Sequence, residues 1–204
     1  VTRIAVIGPH LDDHVFSVGE HMLSRPEVEF TLITLAGNIP YFEPHRAKYE
    51  TLMAEHQNVV LKMGWRAVNG GFLDDAVPPS RDHLPMSVEN VEWWLCLALQ
   101  EGFDQVWAPF GIRHPDHRVV AEACRNIADR SWRWYEELPY RVDSPEEAMT
   151  HLGRLLDQFG RMEKYGYDPT MLDAKRRLCN MYHSQIGPDV ERSLYVHERL
   201  WAPT

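Results

Sequence analysis

The sequence predicts an α/β fold, a Rossmann-like, mostly parallel sheet flanked by helices, in a single domain over residues 1–204. Short β-branched runs alternate with longer amphipathic ones, the pattern of strands that return through crossover helices. A chain of 204 residues and 23.8 kDa is the size of one domain with its own core. Histidine- and aspartate-rich turns follow two of the strand-like runs, at the sheet edge where open α/β folds bind ligands.

The expected strands are Ile4 to Ile7, Phe30 to Leu35, a short Ala67-Val68 and Val106-Trp107. Helical patterns lie between them at Val15 to Leu23, about Pro44 to Met63, and Ser87 to Gln100, where Ser87 and Asn90 are capping residues and Gly102 is a stop. A further helix starts near His114 to Asp116, with Pro115 suited to its first turn and Val119, Val120, Ala123, Cys124 and Ile127 facing inward. Gly70 to Pro85, rich in Gly, Pro and Asp, reads as a loop of functional length. Ser144 to Gly160 and Pro169 to His183 are helical in pattern, and Tyr195 to Trp201 forms a final strand.

Composition narrows the function. There are 21 Lys and Arg against 30 Asp and Glu, a net charge of -9, and no basic run. Nucleic acid and anionic membrane are therefore excluded as partners. No apolar stretch reaches the roughly 18 residues of a membrane span. Val1-Thr2-Arg3 passes directly into the first strand without a basic or long apolar leader, so a cytoplasmic location is expected. The scattered Cys96, Cys124 and Cys179 read as buried, reduced thiols. Most tryptophans read as core, with Trp107 beneath the second histidine turn, and His21, His45, His56, His83, His151 and His197 read as surface or capping residues.

The chemistry gathers in two turns, Gly8-Pro9-His10-Leu11-Asp12-Asp13-His14 and Ala108-Pro109-Phe110-Gly111-Ile112-Arg113-His114-Pro115-Asp116-His117. A catalytic zinc takes three protein ligands and leaves a fourth position open. His10, Asp13 and His117 supply such a set; His10 and Asp13, three apart across a tight turn, face one side and leave Asp12 free as a base. His114 and His117 share a face of a first helical turn, one to ligate and the other to touch substrate. Asp116 reads as a helix-dipole partner or an orienter of an imidazole rather than a ligand.

These residues resemble the LmbE-like or PIG-L-like metal-dependent de-N-acetylases of N-acetylglucosaminyl compounds. Pro9 to His14 with Gly19 resembles that family's first motif, with Leu11 in place of its Pro, His14 in place of its Glu and Glu20 in place of its second Gly. His114-Pro115-Asp116-His117 matches its second motif intact. Arg46 with Glu50, Lys175, and Tyr182-His183-Ser184-Gln185 resemble further family positions, and Tyr135 to Tyr140 resembles a subgroup found with sugar-modifying pathways.

The resemblance implies a hydrolase that removes an N-acetyl or other N-acyl group from an amino sugar, with zinc, ferrous iron or another divalent ion in the site. It implies Asp12 as general base, a cationic His114 beside the developing oxyanion, Arg46 and Asp74 on sugar hydroxyls, and Asp116 and His14 around the ligands. An amidase for a larger acyl group on a thiol- or lipid-linked glucosamine would use the same residues. A nucleotide-binding domain lacks its Gly-rich fingerprint here, and a non-catalytic sugar-binding module would have no need of Asp12. The sugar, the acyl group and whether the chain forms a homo-oligomer stand open.

Overall fold

The computed structural model describes residues 1–38, 45–74, 85–166 and 168–204. Strands β1 (Arg3–Gly8), β2 (Glu29–Thr34), β3 (Arg66–Asn69), β4 (Gln105–Pro109), β5 (Arg133–Tyr135), β6 (Met162–Tyr165) and β7 (Leu200–Pro203) form one sheet in the order β3-β2-β1-β4-β5-β7-β6. The first five pair in parallel, and β7 runs antiparallel to both β5 and β6. From β1 the chain builds outward through β2 and β3, then returns to the other side of β1 for β4 and β5. This reversal opens a crevice beyond the carboxyl ends of β1 and β4, where α/β sheets take ligands.

Helices α1 (Asp13–Leu23), α2 (His45–Met63), α3 (Val88–Ala98), α4 (Pro115–Ile127), α5 (Tyr140–Asp143), α6 (Pro145–Phe159), α7 (Leu172–Cys179) and α8 (Pro188–Ser193), with short 3-10 helices at Leu99–Glu101 and Pro169–Met171, complete the described elements. One sheet face, through Ala5, Ile7 and Ala108, packs with residues of α3, α4 and α6. Ile4, Val6, Leu32 and Trp107 of the other face pack with Val18 and Met22 of α1, and a third cluster joins Phe16, Leu52, Val59, Leu178 and Tyr182. Strands buried on both faces explain the unbroken Ile4-Ala5-Val6-Ile7 run.

Several expectations need correction. The short β5 and β6 stand where no strand is expected, and the final strand begins at Leu200 rather than near Tyr195. Cys96 is exposed, whereas Cys124 and Cys179 are buried. The start of the second helix at Pro44, residues 75–84 of the loop with His83, and the side chain of His45 lie outside the described residues. Trp107, Trp132 and Trp134 are core residues, but Trp93 on α3 is exposed.

His21, His56 and His151 are buried rather than surface residues. His21 lies where α1 is broken: Val18 leaves helical geometry, and the Glu20 and His21 N–H groups donate to the Glu198 carboxylate at 2.9 and 3.1 Å. Lys175 pairs with that carboxylate at 2.9 Å. Burial, with Arg25 and Lys175 nearby, pushes the His21 imidazole down to about 3, and burial beside His14 does the same to His56.

Unfolded imidazoles take a proton near 6.5, so between that pH and about 3 the unfolded chain binds more protons than the folded one at these two sites. Their contribution is complete above pH 6.5 and is lost as the pH falls. Replacing His21 with Leu removes one of these protonations. Urea titrations at pH 7 and pH 4 should show His21→Leu losing less stability than the parent, by about 2–3 kcal/mol; equal losses would mean that His21 is protonated in the folded protein at pH 4.

Candidate metal centre

The two turns at the ends of β1 and β4 meet in the crevice. The first is held tightly against the sheet: a Cβ on Gly8 would lie 2.7 Å from the His14 ring, so only glycine lets that ring fold over the strand end. His14 then bonds the Ile33 carbonyl through Nε2 at 3.2 Å, inside the core and directed at β2, and burial lowers its basicity. The carboxyl-terminal signature supports the same turn. The Tyr182 hydroxyl donates to the Leu11 carbonyl at 3.1 Å and meets His56 Nδ1 at 3.0 Å, while Ser184 donates through both N–H and hydroxyl to buried Glu55.

The second turn is bent sharply. Gly111 has φ 89°, and a Cβ there would approach the Ala121 Cβ to 2.6 Å; Arg113 has φ 64°, rare for a residue with a side chain. The Phe110, Gly111 and Ile112 N–H groups converge on the Glu137 carboxylate at 3.1, 2.7 and 3.2 Å. His114 caps α4, its Nδ1 accepting the Asp116 N–H at 3.3 Å. In that bond Nδ1 is the acceptor, which leaves Nε2 as the nitrogen that can donate.

Within this frame His10 Nδ1 and His117 Nε2 stand 3.2 Å apart, and Asp13 Oδ2 lies 3.3 Å from each. The opposite nitrogen of His10, Nε2, meets Asp116 Oδ2 at 3.1 Å and Asp74 Oδ2 at 3.7 Å. The same Asp13 oxygen accepts the His10 N–H at 2.7 Å, which fixes the turn. His10 therefore offers two faces, Nδ1 toward Asp13 and His117, Nε2 toward Asp116 and Asp74.

A tetrahedral ion with bonds of about 2.0–2.1 Å separates its ligand atoms by about 3.3–3.4 Å. The three atoms on the Nδ1 face match that spacing. Groupings of His10 with His114 and His117, or with Asp74 and Asp116, also bring ligand atoms within 4.8 Å of one another. The second grouping uses His10 Nε2, the nitrogen that Asp116 meets at 3.1 Å.

Charge divides the neighbouring carboxylates. Burial would raise Asp13, but His117 and His10 hold it well below the usual carboxylate range. Burial and the adjacent Asp13 push Asp12 up to about 6, and its side chain makes no capping bond at the start of α1. Burial opposes protonation of His10, yet Asp116 and Asp13 carry it well above the usual histidine value. A dication between these groups would supply the positive charge that a proton on His10 otherwise provides.

A cavity of about 270 Å³ opens over the cluster, with His10, Asp12, Asp13 and His114 among its lining. Asp74, Lys48 and Gln185 line it too, as do the apolar Phe16, Leu52 and Val190. Tyr140 stacks edge-on to His117 with ring centres 4.9 Å apart, its phenol raised above the usual value by burial and by Asp13. Arg46 is absent from the described lining; it pairs with Glu50 at 2.8 Å on an exposed flank of α2. At about 100° per residue Arg46 shares a flank with Glu50, beyond the arc of Lys48, Tyr49 and Leu52. Lys48, Tyr140 and Glu137 lie outside both histidine turns, and the apolar spacing of Tyr49 and Leu52 is the one sequence signal beside Lys48.

No family model and no curated protein sequence matches the chain. Its fold is shared with solved structures. The zinc-inhibited form of teicoplanin deacetylase Orf2 is 18% identical, with 99% of this chain and 97% of that chain covered at a TM-score of 0.72. The A40926 pseudoaglycone deacetylase Dbv21 is 21% identical, with 99% and 96% covered at 0.73. The N,N'-diacetylchitobiose deacetylase of Pyrococcus horikoshii is 18% identical, with 94% and 73% covered at 0.59. The likeness is one of fold, a mostly parallel α/β sheet flanked by helices.

Metal analysis of purified variants tests the ligand set. The parent should hold about one divalent ion per chain, His10→Ala, Asp13→Ala and His117→Ala should each lose it, and Asp74→Asn should keep it. Metal kept by Asp13→Ala and His117→Ala but lost from His10→Ala and Asp74→Asn would move the ion to the Nε2 face of His10, and metal kept by His10→Ala would remove that residue from the ligand set.

Proposed function

We propose that residues 1–204 form a metal-dependent N-deacetylase domain that removes an N-acetyl group from an N-acetylglucosaminyl unit of a small molecule or glycoconjugate. The observation that carries this reading is the triangle of His10 Nδ1, Asp13 Oδ2 and His117 Nε2, with Asp12 beside it at a cavity wall. The deacetylases that share the fold support it, as does the resemblance of the two histidine motifs. We take the ion to be zinc, and ferrous iron or another divalent ion would use the same donors. None of the described helices is long and apolar enough to cross a membrane.

A divalent ion bound there would polarise the amide carbonyl and make water acidic enough to attack near neutral pH. Asp12, unpaired by a helix cap, takes the proton from the attacking water and returns it to the departing amine. Its elevated basicity suits both halves of that exchange. His114 offers its Nε2–H as a neutral donor to the oxygen on which negative charge develops. Asp116 holds His10 from behind. Asp74 and Lys48 supply charged partners for substituents of the sugar, and Tyr140 walls the site against His117.

A second reading, hydrolysis of a longer acyl group from the same kind of sugar, is favoured by the apolar Phe16, Leu52 and Val190 in the lining. Such a surface offers no hydrogen bonds to a sugar but can cover a hydrocarbon chain. A series of N-acyl glucosaminides, from acetyl to octanoyl, assayed for free amine, separates the two readings. Highest kcat/KM on acetyl supports the first, and a rise with chain length supports the second. No amine release from any member, by metal-loaded protein, would sink both.

Asp12→Asn should keep the metal and lose on the order of 10²- to 10⁴-fold in kcat. Because the base must be ionised, activity should rise with pH through an acidic limb near or below the value of about 6 set by the protein alone; bound dication moves the limb downward. Turnover of Asp12→Asn within a few-fold of the parent would place the base elsewhere. Asp74→Ala and Lys48→Ala should each reduce kcat/KM by about 1–3 kcal/mol with metal retained, and Arg46→Ala should change it less. If Arg46→Ala proved the most damaging, the α2 face assigned to the sugar would be wrong.

A further inference from the structure

Glu137 lies 20 residues after His117 and outside both histidine motifs, yet it is fully buried against the second turn. Its Oε2 meets the Phe110 N–H, and its Oε1 meets the N–H groups of Gly111 and Ile112 together with His117 Nδ1 at 3.2 Å. Backbone N–H groups can only donate, so this carboxylate acts as an acceptor on both oxygens. An acceptor facing Nδ1 requires a proton there. The lone pair of His117 is thereby placed on Nε2, the atom 3.2 Å from His10 Nδ1 and 3.3 Å from Asp13 Oδ2.

We propose that Glu137 is a positioning residue for metal binding: it fixes the tautomer and aim of His117, and it ties that ring to the Phe110–Ile112 turn. The same carboxylate secures the backbone around Gly111, whose left-handed conformation brings the turn against α4. Next along the chain, the Leu138 N–H donates to the Ser17 hydroxyl at 3.2 Å, so the segment bearing Glu137 is also fastened to α1. Three elements, β4's following turn, α4 and α1, therefore meet through residues 137 and 138. A metal-bound imidazole held by a carboxylate is a stronger and better-aimed ligand than one left free.

The proposal rests on the metal reading of the site and not on the identity of the substrate, so its test uses zinc alone. In Glu137→Gln the side chain keeps its shape but loses its charge, and one of its polar ends must face an N–H donor. Zinc Kd, measured against a competing chelator, should rise 10- to 100-fold, with the circular dichroism of the metal-free protein unchanged. A folded variant binding zinc as tightly as the parent would overturn the proposal, because a role in folding alone would leave that affinity intact.

A measurement on the parent keeps the question decidable if Glu137→Gln fails to fold. Long-range ¹H–¹⁵N spectra of histidine-labelled protein report which nitrogen carries the proton, with the His117 signals identified by their loss in His117→Ala. The expected result is Nδ1–H both without and with zinc, and Nε2 shifted by the metal. A proton on Nε2 of the metal-free protein, or zinc on Nδ1, would overturn the assignment. If zinc binds elsewhere entirely, neither His117 nitrogen responds, and the metal reading fails first.

Discussion

Three electron-pair donors, two imidazole nitrogens and a carboxylate oxygen, crowd within 3.3 Å of one another at the end of β1. A positive charge, from a proton on His10 or from a bound ion, balances Asp13 there, and the surroundings show how the arrangement is held. Asp116 stands behind His10, Glu137 behind His117, and the His10 N–H grips Asp13. The parallel pairing of β1 with β4 brings the two turns together, and the sheet reversal between them leaves the space above them open. Positioning is thus done by backbone donors and buried carboxylates rather than by flexible side chains.

Burial and neighbouring charge give the adjacent aspartates unlike environments. Asp13, turned toward two imidazoles, is kept ionised, while Asp12, turned toward the cavity and beside another carboxylate, is raised to about 6. Environments that push two carboxylates apart are how a site obtains a permanent ligand and a working base from the same residue type. The capping role usual for an aspartate before a helix is given up by Asp12, which leaves its oxygens available to water. His114 takes the cap position at α4, with its Nδ1 accepting the Asp116 N–H.

Much of this was legible in the sequence because it is local. The β1, β2 and β4 strands are apolar runs buried on both faces, and the His10–His14 and His114–His117 spacings carry their chemistry in consecutive residues. β5 and β6 are three and four residues long, and Met162-Glu163-Lys164-Tyr165 has an exposed, charged edge pattern that no periodicity distinguishes from a loop. Glu137 was invisible because its partners, Phe110 to Ile112 and His117, are distant in sequence. His21 and His56 misled for the opposite reason: lone histidines are usually wet, and these are buried by tertiary packing around Glu198 and Tyr182. Arg46 fits a motif spacing and pairs with Glu50 on α2, whereas Lys48 stands in the cavity lining.

The two nitrogens of His10 make the account directly measurable. Anomalous diffraction from crystals grown with zinc should place the ion about 2.0–2.2 Å from His10 Nδ1, Asp13 Oδ2 and His117 Nε2, with Asp12 facing the open coordination position. An ion bound instead to His10 Nε2 between Asp74 and Asp116 would contradict the account. It would detach Glu137 and His117 from the metal and leave Asp13 without its role.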